Sequence, residues 1–309
     1  MKYNKVTVVL GGTSKERDVS LTSGRACIKA LKKIGYKVSS HDPQKKALNL
    51  INKNKTDVIF NALHGKNGED GIAQSIFEYL RIPYTHSGVI SSFNAMNKVI
   101  SKKIFKKNNI TTPKYFVINK DYFSKKTLKK NILKNKLNFP IVTKPINEGS
   151  SIGVKICKNF EILFKASKNL FTGHFELIYE PYIGGQEIQV AVINGSPLGA
   201  IELKPKRKFY DYEAKYSKSA NTAHIMPANI QKNKYREVLK IAKKAHNLLQ
   251  CKGVTRSDFK FFKNKFYLLE LNTQPGMTNL SLVPEIAKYR GISFENLVEK
   301  ILLNASLNK

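Results

Sequence analysis

At 309 residues and 41% hydrophobic content, the chain is about twice a typical domain and has material for more than one core. No apolar run reaches the roughly 18 residues of a membrane span, and residues 1–10 enter a strand with no long apolar stretch closed by small residues, so neither membrane insertion nor a secretory signal is expected. The net charge of +32 raises a nucleic-acid partner, but lysine is spread along the whole chain, as in Lys45-Lys46, Lys102-Lys103, Lys129-Lys130 and Lys243-Lys244, and no reading motif accompanies it, so none is expected.

Residues 5–10, K-V-T-V-V-L, read as a buried strand ending at Gly11-Gly12-Thr13-Ser14, with an amphipathic helix over 19–34 behind it. Gly35 closes that helix, and 37–39 and 57–62 read as further short strands. The glycine-rich loop 64–71, H-G-K-N-G-E-D-G, leads into a helix over 72–80. These units predict an open α/β domain of mainly parallel strands over about the first 95 residues, with ligand loops at strand C-terminal ends that bring Glu16, His64 and Gly65 to one crevice.

Past Asn97 the pattern becomes mixed α+β. Residues 101–108 read as helix, Thr111-Thr112-Pro113 breaks it, and the Lys-rich stretch 121–137 reads as a solvated helix. Strand 140–145 presents Lys144 to the loop N-E-G-S-S-I-G, whose backbone N–H groups and hydroxyls suit phosphate; the lysine precedes the glycines, so this is not a Walker loop. Strand 177–181 follows, and Gly184-Gly185-Gln186-Glu187 turns the chain into strand 188–193. Cys27, Cys157 and Cys251 have no C-x-x-C spacing and read as packing residues.

The densest chemistry lies near the C-terminal end. Side chains two apart on a strand leave the same face, which pairs Arg256 with Asp258 and Glu270 with Asn272. The polar link Lys263-Asn264-Lys265 suits a hairpin return, so three oxygen ligands and a guanidinium are predicted on one sheet face. Hard oxygens of this kind suit Mg²⁺ that shares its shell with nucleotide phosphates. Taken singly, Lys98 and Lys215 are ordinary surface lysines, Glu16 complements a helix dipole, His64 is a turn residue and Tyr216 is a packing aromatic.

Six blocks in order, G-G-T-S-K-E-R-D-V-S, L-H-G-K-N-G-E-D-G, P-Y-T-H-S-G-V, K-P-I-N-E-G-S-S-I-G-V, Y-D-Y-E-A-K-Y and L-N-T-Q-P-G-M-T-N-L-S-L-V-P, together resemble the D-alanine-D-alanine ligase family of the ATP-grasp superfamily. The match runs collinearly from about residue 5 to residue 303. It implies an N-terminal open parallel α/β domain over 1–96, followed by a two-lobed ATP-grasp fold with a central lobe over 97–183 and a C-terminal lobe over 184–309 that carries the metal and substrate site.

The resemblance also implies a set of roles. ATP would lie with adenine beside Glu180 and Ile183 and ribose on Glu187; Lys98 and Lys144 would contact phosphates and base, Lys215 the transferring phosphoryl group, and the loop with Ser151 would close over the phosphates. Asp258, Glu270 and Asn272 would hold Mg²⁺ or Mn²⁺, as two ions. Glu16 would pair with the ammonium of the first D-alanine, with His64 helping to hold it; Ser150 and Tyr216 would join Glu16 in a network that shuts a lid. Arg256 and backbone N–H groups near Gly276 would stabilise the oxyanion, and Ser281 and Leu282 would receive the carboxylate of the second D-alanine. The implied product is the D-alanyl-D-alanine peptidoglycan precursor, made in the cytoplasm by a homodimer joined through its N-terminal domains. Departures from the family pattern are His86 where glycine is common, Asn97 where aspartate is common and Thr143 where an aliphatic residue is common. A different ATP-grasp carboxylate–amine ligase would keep Lys144, Glu187, Asp258, Glu270 and Asn272 without needing Glu16, Tyr216 or Ser281. A silent scaffold would be free to lose Arg256 or a metal ligand.

Overall fold

A computed structural model describes residues 2–204, 222–278 and 280–307. Strands β1 (Lys5–Val9), β2 (Lys37–His41) and β3 (Val58–Asn61) form a parallel sheet in the order β2-β1-β3. Central β1 is a run of buried valines because both of its faces are covered. Helix α1 (Arg17–Ile34) follows the glycine turn and stops at Gly35, whose φ of 107° a side chain would oppose. Helices α2 (Ile72–Tyr79), α3 (Val89–Met96) and α4 (Lys98–Lys107) carry the chain to the second sheet. Asn97 caps α4 by accepting from the N–H groups of Val99 and Ile100, both at 3.0 Å, so the missing aspartate charge does not cost the cap.

The second sheet is antiparallel, in the order β4-β7-β5-β6, from β4 (Phe116–Asn119), β5 (Ile141–Pro145), β6 (Lys155–Cys157) and β7 (Glu176–Pro181). Helices α5 (Lys125–Lys134) and α6 (Phe160–Leu170) share its core. The Lys-rich stretch is thus shorter than its sequence suggests and not fully solvated: Leu128 and Ile132, four apart, bury one stripe of α5. Thr143 faces Tyr179 across the β5–β7 pair, and neither hydroxyl makes a directed hydrogen bond.

The third sheet is antiparallel, in the order β10-β9-β8-β11-β12: β8 (Gln186–Ile193), β9 (Ser196–Lys204), β10 (Ala223–Ile225), β11 (Val254–Phe262) and β12 (Lys265–Asn272). One face packs Ile188, Val190, Phe259 and Leu268 against Val238 and Ala242 of α7 (Lys232–Leu248). On the other face Ala191, Ile201 and Val254 join a single core with Val8 and Leu31 of the first sheet unit and with α8 (Leu282–Tyr289) and α9 (Phe294–Leu303). The last helix therefore returns to the start of the chain. All three cysteines are buried and free, as expected of packing residues. Among the described residues no helix is long and apolar enough to cross a membrane.

Two turns fix the third sheet. Lys263 and Asn264 have φ of 47° and 61°, the two-residue hairpin geometry that matches strand twist. Gly185, at φ 81°, enters β8 so close to β11 that an added Cβ would stand 2.2 Å from the Phe261 carbonyl oxygen. Replacing Gly185 with Ala should therefore cost more than about 2 kcal/mol of unfolding free energy, from left-handed strain plus backbone overlap. Urea unfolding checks this, and an unchanged midpoint would contradict it.

Candidate active site

A cleft opens between the second and third sheets. Val142, Pro181, Tyr182, Ile183 and Leu269 make one end apolar, while Lys98, Lys144, Ser151, Glu187, Asp258 and Glu270 supply polar groups. The third sheet supplies its floor through register. Asp258 stands opposite Glu270 and Arg256 opposite Asn272, so all four leave one face.

These groups already hold one another. Arg256 grips Asp258 through Nε to Oδ1 at 2.7 Å and Nη2 to Oδ2 at 3.0 Å. Lys98 Nζ lies 3.5 Å from Glu270 Oε2 and donates to the Glu148 carbonyl oxygen. The Asn272 side-chain oxygen accepts from the Gln274 N–H at 2.7 Å. Two carboxylates and an amide oxygen on one face fit a hard divalent cation by donor type.

At the apolar end, Lys144 Nζ is 2.9 Å from Glu180 Oε2 and Lys102 Nζ is 2.8 Å from Glu180 Oε1. The Lys102 contact is at ion-pair distance but off the angle of a directed hydrogen bond. Burial opposes the charge on Glu180, yet the two ammonium groups overcome it and hold the carboxyl below its usual range. Burial also opposes the charge on Lys144, where Glu180 and Glu270 outweigh it and raise the ammonium; burial prevails at Lys98 and Lys102 and lowers both. Nearer the mouth, Lys260 Nζ reaches Glu187 Oε2 at 2.9 Å across the β8–β11 pair.

A second, smaller cavity shares Lys98, Glu148 and Glu270 with the cleft and adds Glu69, Gly149, Ser150 and Asn272. Ser150 donates to Glu16 Oε1, linking the loop after β5 to the start of α1. Gly65 lets the other Glu16 oxygen lie against the backbone, since a Cβ there would come within 2.7 Å of it. His64 Nδ1 is 2.9 Å from Glu69 Oε1 and its Nε2 is 3.3 Å from Ser23 Oγ. Burial, reinforced by Glu16 and opposed by His64, pushes the Glu69 carboxyl up to about 7. At the foot of α8, Gly276 approaches Ser281, whose Oγ accepts from the Thr278 N–H at 2.9 Å, and Leu282 is buried behind it.

The structure thus gathers Lys98, Lys144, Ser151, Glu180, Ile183, Glu187, Asp258 and Glu270 around one cleft, and Ser150 and Asn272 around the second cavity, with Glu16 and His64 behind its lining through Ser150 and Glu69; Arg256, Gly276, Ser281 and Leu282 line neither. Lys215 and Tyr216 lie outside the described residues. Sequence reasoning missed Lys102, Lys260 and Glu69. Signals for the first two existed: Lys102 is four residues after Lys98 on one helix, and Lys260 continues the alternation of Arg256 and Asp258. His86, the departure from glycine, adopts φ 70° and is buried edge-on against Phe60, and burial pushes its imidazole down to about 3.

A parallel α/β unit followed by two antiparallel sheets that clasp a lysine- and carboxylate-lined cleft defines an ATP-grasp protein. Residues 37–87 match the D-ala D-ala ligase N-terminus family and residues 104–303 the D-ala D-ala ligase C-terminus family. The chain is 56% identical over 310 residues to the D-alanine–D-alanine ligase of Pelagibacter ubique, covering 99% of each chain. It is 46% identical to that of Wolbachia pipientis wMel over 98% of this chain and 94% of the relative. The crystal structure of the Bacillus anthracis D-alanine–D-alanine ligase complexed with ATP superposes with a TM-score of 0.85 at 31% identity, over 98% of this chain and 97% of that one. The chain belongs to the D-alanine–D-alanine ligase family.

The raised Glu69 carboxyl has a consequence for stability. With its folded value above the unfolded one, the contribution of neutral Glu69 is complete below about 4.5 and is lost as pH rises through about 7. Replacing Glu69 with Gln removes that titration, so the melting temperature of the variant should gain on the parent between about pH 5 and about pH 8. A difference that stays constant with pH would contradict the assignment.

Proposed function

We propose that the chain joins two D-alanine molecules to D-alanyl-D-alanine at the expense of ATP, releasing ADP and phosphate, as a step in peptidoglycan precursor synthesis. The observation that carries this reading is the junction of the two cavities at Lys98 and Glu270. There a cleft lined by lysines, carboxylates and apolar groups shares its wall with a smaller polar cavity.

In the first half-reaction the carboxylate of one D-alanine takes the terminal phosphoryl group of ATP, giving an acyl phosphate and ADP. Lys98 and Lys144 lie along the path of the phosphates, and the loop of Gly149 to Ser151 offers backbone N–H groups and hydroxyls. Lys215 is assigned to the phosphoryl group itself. Glu187 receives the ribose hydroxyls, and Ile183 and Tyr182 wall the base. Asp258, Glu270 and Asn272 would hold Mg²⁺ or Mn²⁺, as two ions, which would neutralise charge on the phosphates. Glu16, held by Ser150, pairs with the ammonium of the first D-alanine, and His64 steadies it.

In the second half-reaction the amine of the other D-alanine, having lost a proton, attacks the acyl carbon, and the tetrahedral intermediate expels phosphate. Arg256 and the backbone near Gly276 stabilise its oxyanion, while Ser281 and the Leu282 N–H at the foot of α8 take the second carboxylate. Tyr216 is assigned to the lid that excludes water from the acyl phosphate. We further assign three domains, 1–96, 97–183 and 184–309, with one sheet in each. A cytoplasmic homodimer joined through the N-terminal domain completes the reading, and the exposure of Tyr79, Ile90 and Phe93 there supports it. The alternative of another ATP-grasp carboxylate–amine ligase is disfavoured by the presence of Glu16 and Ser281, which it would not need.

Purified protein with ATP, Mg²⁺ and D-alanine should release phosphate and D-alanyl-D-alanine in equal amounts; release with L-alanine but not D-alanine would refute the substrate assignment. Replacing Arg256 with Ala should lower dipeptide formation by about a hundredfold or more while nucleotide still binds. A fully active variant, measured by coupled ADP release, would remove Arg256 from the mechanism.

A further inference from the structure

Glu180 holds two ammonium groups on one carboxylate, and all three side chains are buried. Two cations against one anion leave surplus charge in a dry place, which desolvation opposes. Lys102 Nζ at 2.8 Å and Lys144 Nζ at 2.9 Å each take one oxygen of the same carboxylate. What separates the two lysines is access. Lys144 and Glu180 line the cleft, whereas Lys102 stands behind Glu180, outside the cleft wall and one helical turn beyond Lys98 on α4.

We propose that Lys102 is a positioning residue for nucleotide binding, the permanent counter-ion of Glu180 that frees Lys144 to turn toward the phosphates. This rests on the reading of the cleft as the ATP site. When nucleotide enters, Lys144 exchanges a carboxylate oxygen for a phosphate oxygen. Without Lys102 that exchange would strand a buried, ionised carboxylate without a cation, where an unpaired charge is costly. With Lys102 in place, Glu180 keeps a partner and stays fixed at the inner end of the cleft. The second lysine is therefore explained by the loaded site rather than by the empty one.

The test compares the Lys102→Met, Glu180→Gln and double variants by steady-state kinetics and by equilibrium dialysis of ATP. Lys102→Met should raise the KM for ATP by about tenfold or more, with kcat and the KM for D-alanine within about threefold of the parent. In the Glu180→Gln background, where no carboxylate remains to be stranded, the same change should move the KM for ATP by less than about threefold. An ATP KM unchanged in Lys102→Met, or raised equally in both backgrounds, would overturn the proposal, the second outcome marking a purely structural lysine. If Lys102→Met does not fold, the double variant, free of both buried charges, still decides: a tenfold loss of ATP affinity relative to Glu180→Gln would overturn it. A parent that makes no dipeptide would instead sink the reading of the site, while dialysis would still report on Lys102.

Discussion

The antiparallel register of β11 between β8 and β12 is the constraint on which the site depends. It sets Lys260 against Glu187, Asp258 against Glu270 and Arg256 against Asn272, and each directly opposed pair leaves the same face. A slip of one residue would send the whole polar set to the face that packs against α7, and Phe259 and Phe261 to the cleft. The two-residue turn at Lys263-Asn264 and the approach of Gly185 to Phe261 fix the end of the hairpin, and a register shift of one residue between Asp258 and Phe259 then sets Asp258 against Glu270 rather than Leu269. The core on the opposite face holds it along the length.

The cleft keeps its charges in place through mutual pairing. Arg256 with Asp258, Lys260 with Glu187, Lys98 with Glu270, and Lys144 and Lys102 with Glu180 each match a cation to a carboxylate at the cleft. Such pairs stabilise the fold little once desolvation is counted. Their effect is preorganisation, because each side chain is already oriented when a polyanion arrives and needs only to exchange partners.

The shared core explains how a residue near the start of the chain can bond to the loop that lines the cleft. Val8 and Leu31 pack with Ala191, Ile201 and Val254 of the third sheet, and α9 closes the same cluster. That packing holds the start of α1, where Glu16 sits, within reach of Ser150 on a loop of the second sheet. Glu69 and His64 fill the space beside it as a buried pair.

By itself the sequence determined several of the local elements and the pairs two residues apart within each strand, since period-two alternation dictates which side chains of one strand share a face; that the two pairs share a face was decided by the register shift between Asp258 and Phe259. It also carried the ordered motif blocks that mark the family. It did not determine the length of α5, because Lys-rich composition masks a buried stripe of Leu128 and Ile132 that only the sheet beneath makes visible. The contacts of Lys102 with Glu180, Lys260 with Glu187 and Glu16 with Ser150 were decided by tertiary structure alone. A lysine among so many reads as solvated until the fold buries it, and burial is what turns an ordinary charge into one that must be paired.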